Sequence, residues 1–132
     1  MSDPYYCKLY IDTDEDEGNL ELALAEAAAS TFADVRVEYP VYPNDDFDPR
    51  SRVRMPYDFI QCSRYYVELG TLEQVADQLS DFQSGVAALV KRLREDGRIV
   101  TASCDFEEVI ADATGWNWSE STPEPPGRRV DS

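Results

Sequence analysis

The chain has no histidine and few cationic side chains. Its 132 residues include 12 Lys and Arg against 27 Asp and Glu, which gives a formal net charge of −15 at pH 7. Without histidine, the chain lacks the side chain that most often transfers protons near neutral pH. The excess of carboxylates repels nucleic-acid phosphates and attracts basic proteins. We therefore expect a protein-binding function with a basic partner, and neither nucleic-acid binding nor acid–base catalysis.

Long apolar runs and a cysteine framework are also missing. No stretch of 18 apolar residues is present, and residues 1–4 do not resemble a signal peptide, so we expect a cytoplasmic protein that does not bind a membrane. The three cysteines, Cys7, Cys62 and Cys104, form no CxxC pair and are odd in number. They are interpreted as small buried hydrophobic side chains. No motif indicates a cofactor.

The apolar residues, 42% of the chain, follow periods typical of strands and helices. Strands are predicted over 5–12, 35–41, 59–69 and 99–104, and helices over 19–31 and 71–96. The order β-α-β-β-α-β predicts an α+β, ferredoxin-like domain, with a four-stranded antiparallel sheet and both helices on one face. This single domain is expected to span 1–118, followed by a disordered, Pro-rich tail over 119–132.

Several residues predict where these elements begin and end. Asn19 is the expected N-cap of the first helix, and Thr71 with Gln74 forms a capping box for the second. Ser80 and Asp81 could instead start a separate helix by supplying a new N-cap. Pro40 confines the second strand to an edge of the sheet.

Two clusters of carboxylates are candidate contacts for a basic partner. Asp12, Asp14 and Asp16 follow the first strand, but Glu17 and Ala23 occupy the positions where a calcium loop needs Gly and Glu. The second cluster follows the fourth strand and contains Asp105, Glu107 and Glu108. The strand directions place the two clusters at opposite ends of the sheet. We therefore treat them as alternative docking sites.

Tyrosines are the candidate anchors of such an interface. If Cys7, Leu9 and Ile11 face the helices, Tyr6 and Tyr10 lie on the other face of the sheet. Either Tyr65 or Tyr66 joins them, and Tyr66 is the candidate anchor, together with Trp116 or Trp118. Tyrosine suits an interface because it offers a large contact area at low entropic cost. Cross-strand aromatic packing is the alternative interpretation.

The arginines at 50, 52 and 54 alternate through a polar loop that spans 44–56. A run of this kind can bind phosphate. The nearby carboxylates of Asp45, Asp46, Asp48 and Asp58 instead favour pairing within the protein.

The segment from Tyr65 to Ile110 resembles small acidic bacterial proteins, many of them actinobacterial, of the kind that serve as immunity proteins in toxin systems. The matching features are 65–68 (YYVE), Phe82, 89–97 (LVKRLREDG) and 102–108 (ASCDFEE), and the opening acidic strand is similar. The resemblance implies inhibition of a toxin, often a nuclease, by tight binding to its basic cleft. It implies no catalytic residues.

The sequence thus predicts an acidic inhibitor, a monomer or homodimer, that covers a basic site on a toxin or nuclease. One alternative is a DNA mimic that blocks a defence nuclease by displaying carboxylates along an elongated face. The other alternative is a small metal-dependent enzyme that uses Asp105 and Glu107.

Overall fold

An antiparallel sheet with helices packed against it forms the domain, described here from a computed structural model for residues 4–32, 35–72 and 76–126. The strands, in chain order, are β1 (Tyr6–Asp12), β2 (Val37–Glu38), β3 (Val41–Pro43), β4 (Tyr65–Thr71) and β5 (Ile99–Ser103). The helices are α1 (Glu17–Thr31), α2 (Phe59–Cys62), α3 (Leu79–Glu95) and α4 (Glu107–Thr114). The predicted α+β class is confirmed.

The sheet has five strands, where the sequence predicted four. β1 lies between β4 and β5, and β2 and β3 both pair with the outer edge of β4. The single strand predicted over 35–41 is divided because Pro40 carries no N–H for the ladder. Its carbonyl still accepts a hydrogen bond from Glu68 N at 3.1 Å. The edge position expected from the prolines is therefore correct, but it is filled by two short strands.

The strand predicted to begin at Phe59 begins at Tyr65 instead. Residues 59–62 form the short helix α2, because the Asp58 carboxylate accepts hydrogen bonds from the N–H groups of Ile60 and Gln61, both at 3.0 Å. A capped helical turn satisfies these donors locally, and it outweighs the β propensity of Phe59 and Ile60.

Two predicted helix starts also differ from the structure. Asp16 caps α1, with its carboxylate 2.8 Å from Asn19 N, so Asn19 lies inside the helix. Helix α3 begins at Leu79, close to the second start that Ser80 and Asp81 offered. Thr71 ends β4. Gln74, the other half of the predicted capping box, lies outside the described residues.

One face of the sheet packs against α1 and α3 to form the main core. Every second residue of β1 is fully buried there: Cys7, Leu9 and Ile11. Val67 and Leu69 of β4 extend this layer, and α3 contributes the buried stripe Phe82, Val86, Leu89, Val90 and Leu93. The period-2 and period-3.6 patterns of the sequence therefore meet in one apolar interior.

The opposite face carries a second, smaller apolar cluster. Tyr57, Cys62 and Trp116 are buried there, and Phe59, Ile99 and Trp118 pack against them. The cluster covers the end of the sheet near Asp12. The sequence pattern placed Phe59, Cys62 and Ile99 in strands and the two tryptophans beside the tail.

The chain beyond residue 118 folds back over this cluster, at variance with the disordered tail predicted from 119. Trp116 Nε1 donates to the Thr122 carbonyl at 3.1 Å. Tyr57 N donates to Glu124 Oε2 at 3.2 Å, and Pro125 is buried. These contacts hold the described part of the segment against the second cluster. The remainder of the predicted tail, 127–132, lies outside the described residues.

Gly85 marks the closest approach of α3 to the end of α1. A Cβ atom built on Gly85 would lie 2.5 and 2.7 Å from two ring carbons of Phe32, which is itself buried. We expect Gly85→Ala to destabilise the protein by about 1–3 kcal/mol through overpacking, although alanine is the better helix former. In α1, Gly18→Ala meets nothing closer than 3.6 Å and is expected to stabilise. Urea denaturation of both variants measures their free energies of unfolding. A Gly85→Ala variant more stable than Gly18→Ala would contradict the expected overpacking.

Candidate functional site

The loop that follows β1 turns out to be largely paired within the protein. The Asp12 carboxylate lies 3.2 Å from Arg52 Nη2 and accepts a hydrogen bond from the Tyr57 hydroxyl at 3.1 Å. Its side chain is only 12% exposed. Asp14 pairs with Nη1 of the same arginine, although its own side chain is 90% exposed.

The remaining acids of this loop have structural roles as well. Glu15 Oε2 accepts a hydrogen bond from Arg98 Nη2 at 3.0 Å, and this contact lowers the pKa of Glu15. Asp16 caps α1. Asp12 and Asp16 therefore serve the fold directly, and Asp14 shares a cation. This end of the sheet offers a partner less free negative charge than the sequence suggests.

The arginine run divides between two kinds of pairing. Arg50 pairs with Asp48 at 3.1 Å, as the alternating pattern predicted. Arg52 instead reaches across the fold to Asp12 and Asp14. Sequence proximity could not reveal this contact, because 38 positions separate Arg52 from Asp14.

At the other end of the sheet, the acids around α4 form no ion pair with the residues that the structure describes. Asp105, Glu108 and Asp112 are exposed and Glu107 is half-buried. None of them takes part in the ion pairs formed by the residues that the structure describes. Glu107 Oε2 accepts the Cys104 N–H at 3.0 Å, which ties the first turn of α4 to the end of β5. Among the described residues, no cation therefore neutralises this negative charge.

These carboxylates border a concave surface, which we call the acidic groove. Its cavity volume is about 290 Å³. One wall comes from α4 and the other from the chain that follows it. The lining residues are Glu107, Glu108, Ala111, Gly115, Trp116, Asn117, Trp118, Ser119 and Thr122.

A buried asparagine fixes the wall of the groove that follows α4. Asn117 Oδ1 accepts the Ala102 N–H at 2.9 Å, and Asn117 Nδ2 donates to the Ala102 carbonyl at 3.0 Å. The amide thus pairs with the outer edge of β5 as a neighbouring strand would. Gly115 ends α4 in the left-handed conformation, with φ of 91°, and turns the chain toward this contact.

Arg94 of α3 supports the same segment from within the protein. Its guanidinium donates to the carbonyls of Val100 and Trp116, at 2.7 and 2.8 Å, and to Thr114 Oγ1 at 2.8 Å. It also lies 5.2 Å from the ring centroid of Trp116. Burial lowers the pKa of Arg94 to about 10, so the side chain remains charged at neutral pH. Arg94 therefore acts as a charged brace beneath the groove.

Trp118 connects the groove to a row of aromatic rings on the sheet. The ring centroids of successive neighbours lie 5.0 to 6.3 Å apart, in the order Trp118, Phe59, Tyr10, Tyr66 and Tyr42. Tyr10 lies directly opposite Tyr66, and Tyr66 opposite Tyr42. We call this set the aromatic row. Tyr65, by contrast, is buried on the helix face, where its hydroxyl donates to the Glu15 carbonyl at 3.0 Å.

Charged side chains flank the aromatic row. Lys8 Nζ lies 4.3 Å from the ring centroid of Tyr66 and 4.9 Å from that of Tyr10. Tyr6 is half-buried beside Glu68. Desolvation, followed by the charge and hydrogen bond of Glu68, raises the pKa of Tyr6 to about 12. The tyrosines therefore pack against one another and against Lys8, while their outer surfaces remain partly accessible.

The structure thus brings some of the predicted contacts together and separates others. Glu107, Glu108, Tyr10 and Tyr66 belong to one continuous surface that passes through Trp118. Asp105 precedes it, and Tyr6 lies farther along the same sheet face. The Asp12 loop lies at the opposite end of β5 from the start of α4, because Asp12 pairs with Ile99 at the start of β5 whereas α4 follows its end. Tyr57 nevertheless connects Asp12 to Trp118, since its hydroxyl donates to Asp12 and its carbonyl accepts from Trp118 Nε1. This arrangement agrees with the expected separation of the two acidic clusters.

Three residues of the candidate site were not identified from the sequence. Phe59 was assigned to a strand, and no local signal shows that Asn117 pairs with a distant strand edge. Asp112 was not singled out, although its spacing of four from Glu108 places both on one face of a helix.

The described part of the chain shows neither a cluster of metal ligands nor a membrane-spanning helix. Within 4–32, 35–72 and 76–126, no three Asp, Glu or Cys side chains gather closely enough to hold a metal ion. The helices of these same ranges include none with the length and apolar character needed to cross a bilayer.

Comparison of the chain with known protein families, curated proteins and solved structures finds no match.

Replacement of Arg94 tests whether it braces the groove. We expect Arg94→Met to destabilise the protein by about 2–4 kcal/mol, because buried carbonyl groups lose a charged donor. Arg92→Met is the matched control, since Arg92 is exposed on the same helix. Thermal unfolding measures both variants. Equal melting temperatures would contradict the bracing role.

The titration of Tyr6 provides a separate test of the sheet face. Because its pKa is raised above the ordinary value of 10.0, the folded chain holds this proton more tightly than the unfolded chain does. The contribution of Tyr6 to stability is therefore complete below pH 10 and declines between about pH 10 and 12. The difference in ultraviolet titration between the native protein and Tyr6→Phe should centre near pH 12, and Glu68→Gln should lower it. A midpoint at the ordinary value in the native protein would contradict the contact.

Proposed function

We propose that this protein is an acidic inhibitor that neutralises a basic protein, of the toxin or nuclease kind, by covering its positively charged site. The observation that carries the proposal is the unpaired negative charge of α4 beside an aromatic groove. Lys and Arg side chains of a partner would enter next to Glu107 and Glu108, where the ring of Trp118 offers a cation–π contact. The resemblance to immunity proteins supports the same function.

The choice of α4 over the Asp12 loop follows from the pairing of charges. Arg52 and Arg98 already neutralise much of the loop. A partner that docked there would have to displace contacts within the protein, whereas docking at α4 displaces no ion pair of the described residues. Long-range attraction is strongest where the field is uncompensated, so α4 also favours rapid association at low ionic strength.

The aromatic row would extend this interface across the sheet. Tyr42 is 39% exposed at the row's outer end. Tyrosine and tryptophan rings surrounded by carboxylates combine contact area with steering, a combination typical of protein interfaces. In the same proposal the fold is a ferredoxin-like sheet in which β2 and β3 together fill one edge position. The setting is the cytoplasm, and the protein acts as a monomer or homodimer without a cofactor.

The binding test uses two variants that each remove three negative charges. The test variant combines Asp105→Asn, Glu108→Gln and Asp112→Asn. The control combines Glu21→Gln, Glu26→Gln and Glu95→Gln, which are exposed acids of α1 and α3. The ligand is the purified protein encoded by the gene next to this one, because immunity genes commonly adjoin those of their toxins.

Surface plasmon resonance at two salt concentrations gives the rates and affinities. We expect the test variant to bind about 3- to 150-fold more weakly, since three exposed charges at roughly 0.2–1 kcal/mol each contribute about 0.6–3 kcal/mol. The loss should fall mainly on the association rate and should shrink at high salt. The control should bind within about threefold of the native protein, because steering by net charge alone is weak at a distance.

Growth of cells that express the neighbouring protein provides the functional half of the test. Co-expression of the native chain should restore growth, and the α4 variant should restore it less well than the control. Equal protection by both variants, or no binding of the native chain, would overturn the proposal. Competition by DNA, together with equal losses from acids throughout the chain, would indicate a DNA mimic instead.

A further inference from the structure

Cys7 and Cys104 lie side by side on neighbouring antiparallel strands. Lys8 of β1 is opposite Ser103, and Leu9 is opposite Ala102. Cys104 follows the last residue of β5, and this register continued by one position places it opposite Cys7, just before α4. Cys7 belongs to the main apolar core and Cys104 packs against it, close enough for each thiol to influence the protonation of the other.

This geometry matches what a disulfide requires. Directly opposed residues of antiparallel strands have Cα atoms about 4.5–5.5 Å apart, within the range of about 4.4–6.8 Å that disulfides span. Both side chains pack in the same apolar core, on the helix face of the sheet. Both are free cysteines here. Little backbone movement is therefore needed to join them.

We propose that Cys104 and Cys7 form a thiol–disulfide exchange site that takes small-molecule disulfides as its oxidant and closes into an internal Cys7–Cys104 bond. Cys104 is the entry point because it is partly exposed, whereas Cys7 is completely buried. A reagent from solvent reaches Cys104 first. Cys7 then acts as the resolving thiol from within the core.

The protonation states favour the same order of events. The hydrogen bond from the Cys7 thiol is the largest influence on Cys104 and lowers its pKa, despite opposing burial and the negative charges of Glu107 and Asp105. Burial raises the pKa of Cys7 well above its ordinary value. Cys104 therefore carries more thiolate, and thiolate is the attacking form.

The exchange balances in two steps. The Cys104 thiolate attacks one sulfur of a disulfide RSSR, which forms a mixed disulfide at Cys104 and releases RS⁻. The Cys7 thiol then loses its proton to solvent or to the released thiolate, and its sulfur attacks Cys104 Sγ. The Cys7–Cys104 bond forms as the second RS⁻ leaves. Two electrons pass from the cysteines to RSSR, and thiol reductants reverse both steps.

The third cysteine provides an internal control. Cys62 is completely buried in the second cluster, where Ser51 Oγ lies 3.3 Å from its sulfur. It belongs to a different apolar cluster from Cys7. Replacement of Cys62 should therefore not change the thiol–disulfide exchange. The exchange also does not require the proposed partner protein.

Thiol exchange with 4,4′-dithiodipyridine, a neutral aromatic disulfide, tests the proposal on the folded full-length chain. The native protein should release two equivalents of thiopyridone and gain no label, because the internal bond expels the second leaving group. Cys7→Ala should release one equivalent and keep one label at Cys104. Cys104→Ser should release none while folded. Cys62→Ser should behave as the native protein does.

Two further measurements guard against a variant that fails to fold. Peptide mapping of the native chain after oxidation should find residues 7 and 104 in one disulfide-linked pair. Its melting temperature should rise by on the order of 10 °C, because the bond closes a long loop. One equivalent with a stable label on the native chain, a linkage that involves Cys62, or a lower melting temperature would overturn the proposal.

Discussion

The few Lys and Arg side chains, and the contacts they make, determine where this protein displays negative charge. Only 12 Lys and Arg accompany 27 acids. Three of the arginines are committed to internal contacts: Arg52 to the loop after β1, Arg98 to Glu15, and Arg94 to carbonyl groups around α4. Since no cation of the described residues forms an ion pair with the α4 carboxylates, the described structure leaves their negative charge without a partner.

Arg94 shows how this distribution and the fold depend on each other. It could have neutralised an acid, but its donors are used by the chain around the groove. The hydrogen bonds of Arg94 therefore hold the segment that follows α4, and they leave no donor of Arg94 paired with the carboxylates of α4. Arg94 therefore stabilises the wall through hydrogen bonds and forms no ion pair with the described carboxylates of α4.

The two faces of β1 divide the chemistry of the domain. The helix face holds the apolar layer and, at its end, the pair of Cys7 and Cys104. The other face holds the aromatic row and reaches the groove through Trp118. Both features reach the region of α4. Cys104 precedes α4 and donates its N–H to Glu107, and Trp118 lines the groove beside Glu107 and Glu108. A change in the thiol pair would thus act close to the proposed interface.

Local patterns in the sequence determined much of this architecture. Alternation fixed β1 and its two faces, and the stripe of α3 fixed the helix that covers it. The excess of acids was plain from composition. Interactions across long sequence distances decided the rest. Arg52 neutralises the first acidic loop, Asn117 pairs with Ala102, and residues 119–126 fold onto the second cluster. Sequence cannot show these contacts because polar side chains find such partners only after the core has brought distant segments together. For the same reason, composition established that the protein is acidic, whereas only the tertiary structure decided which acids remain unpaired.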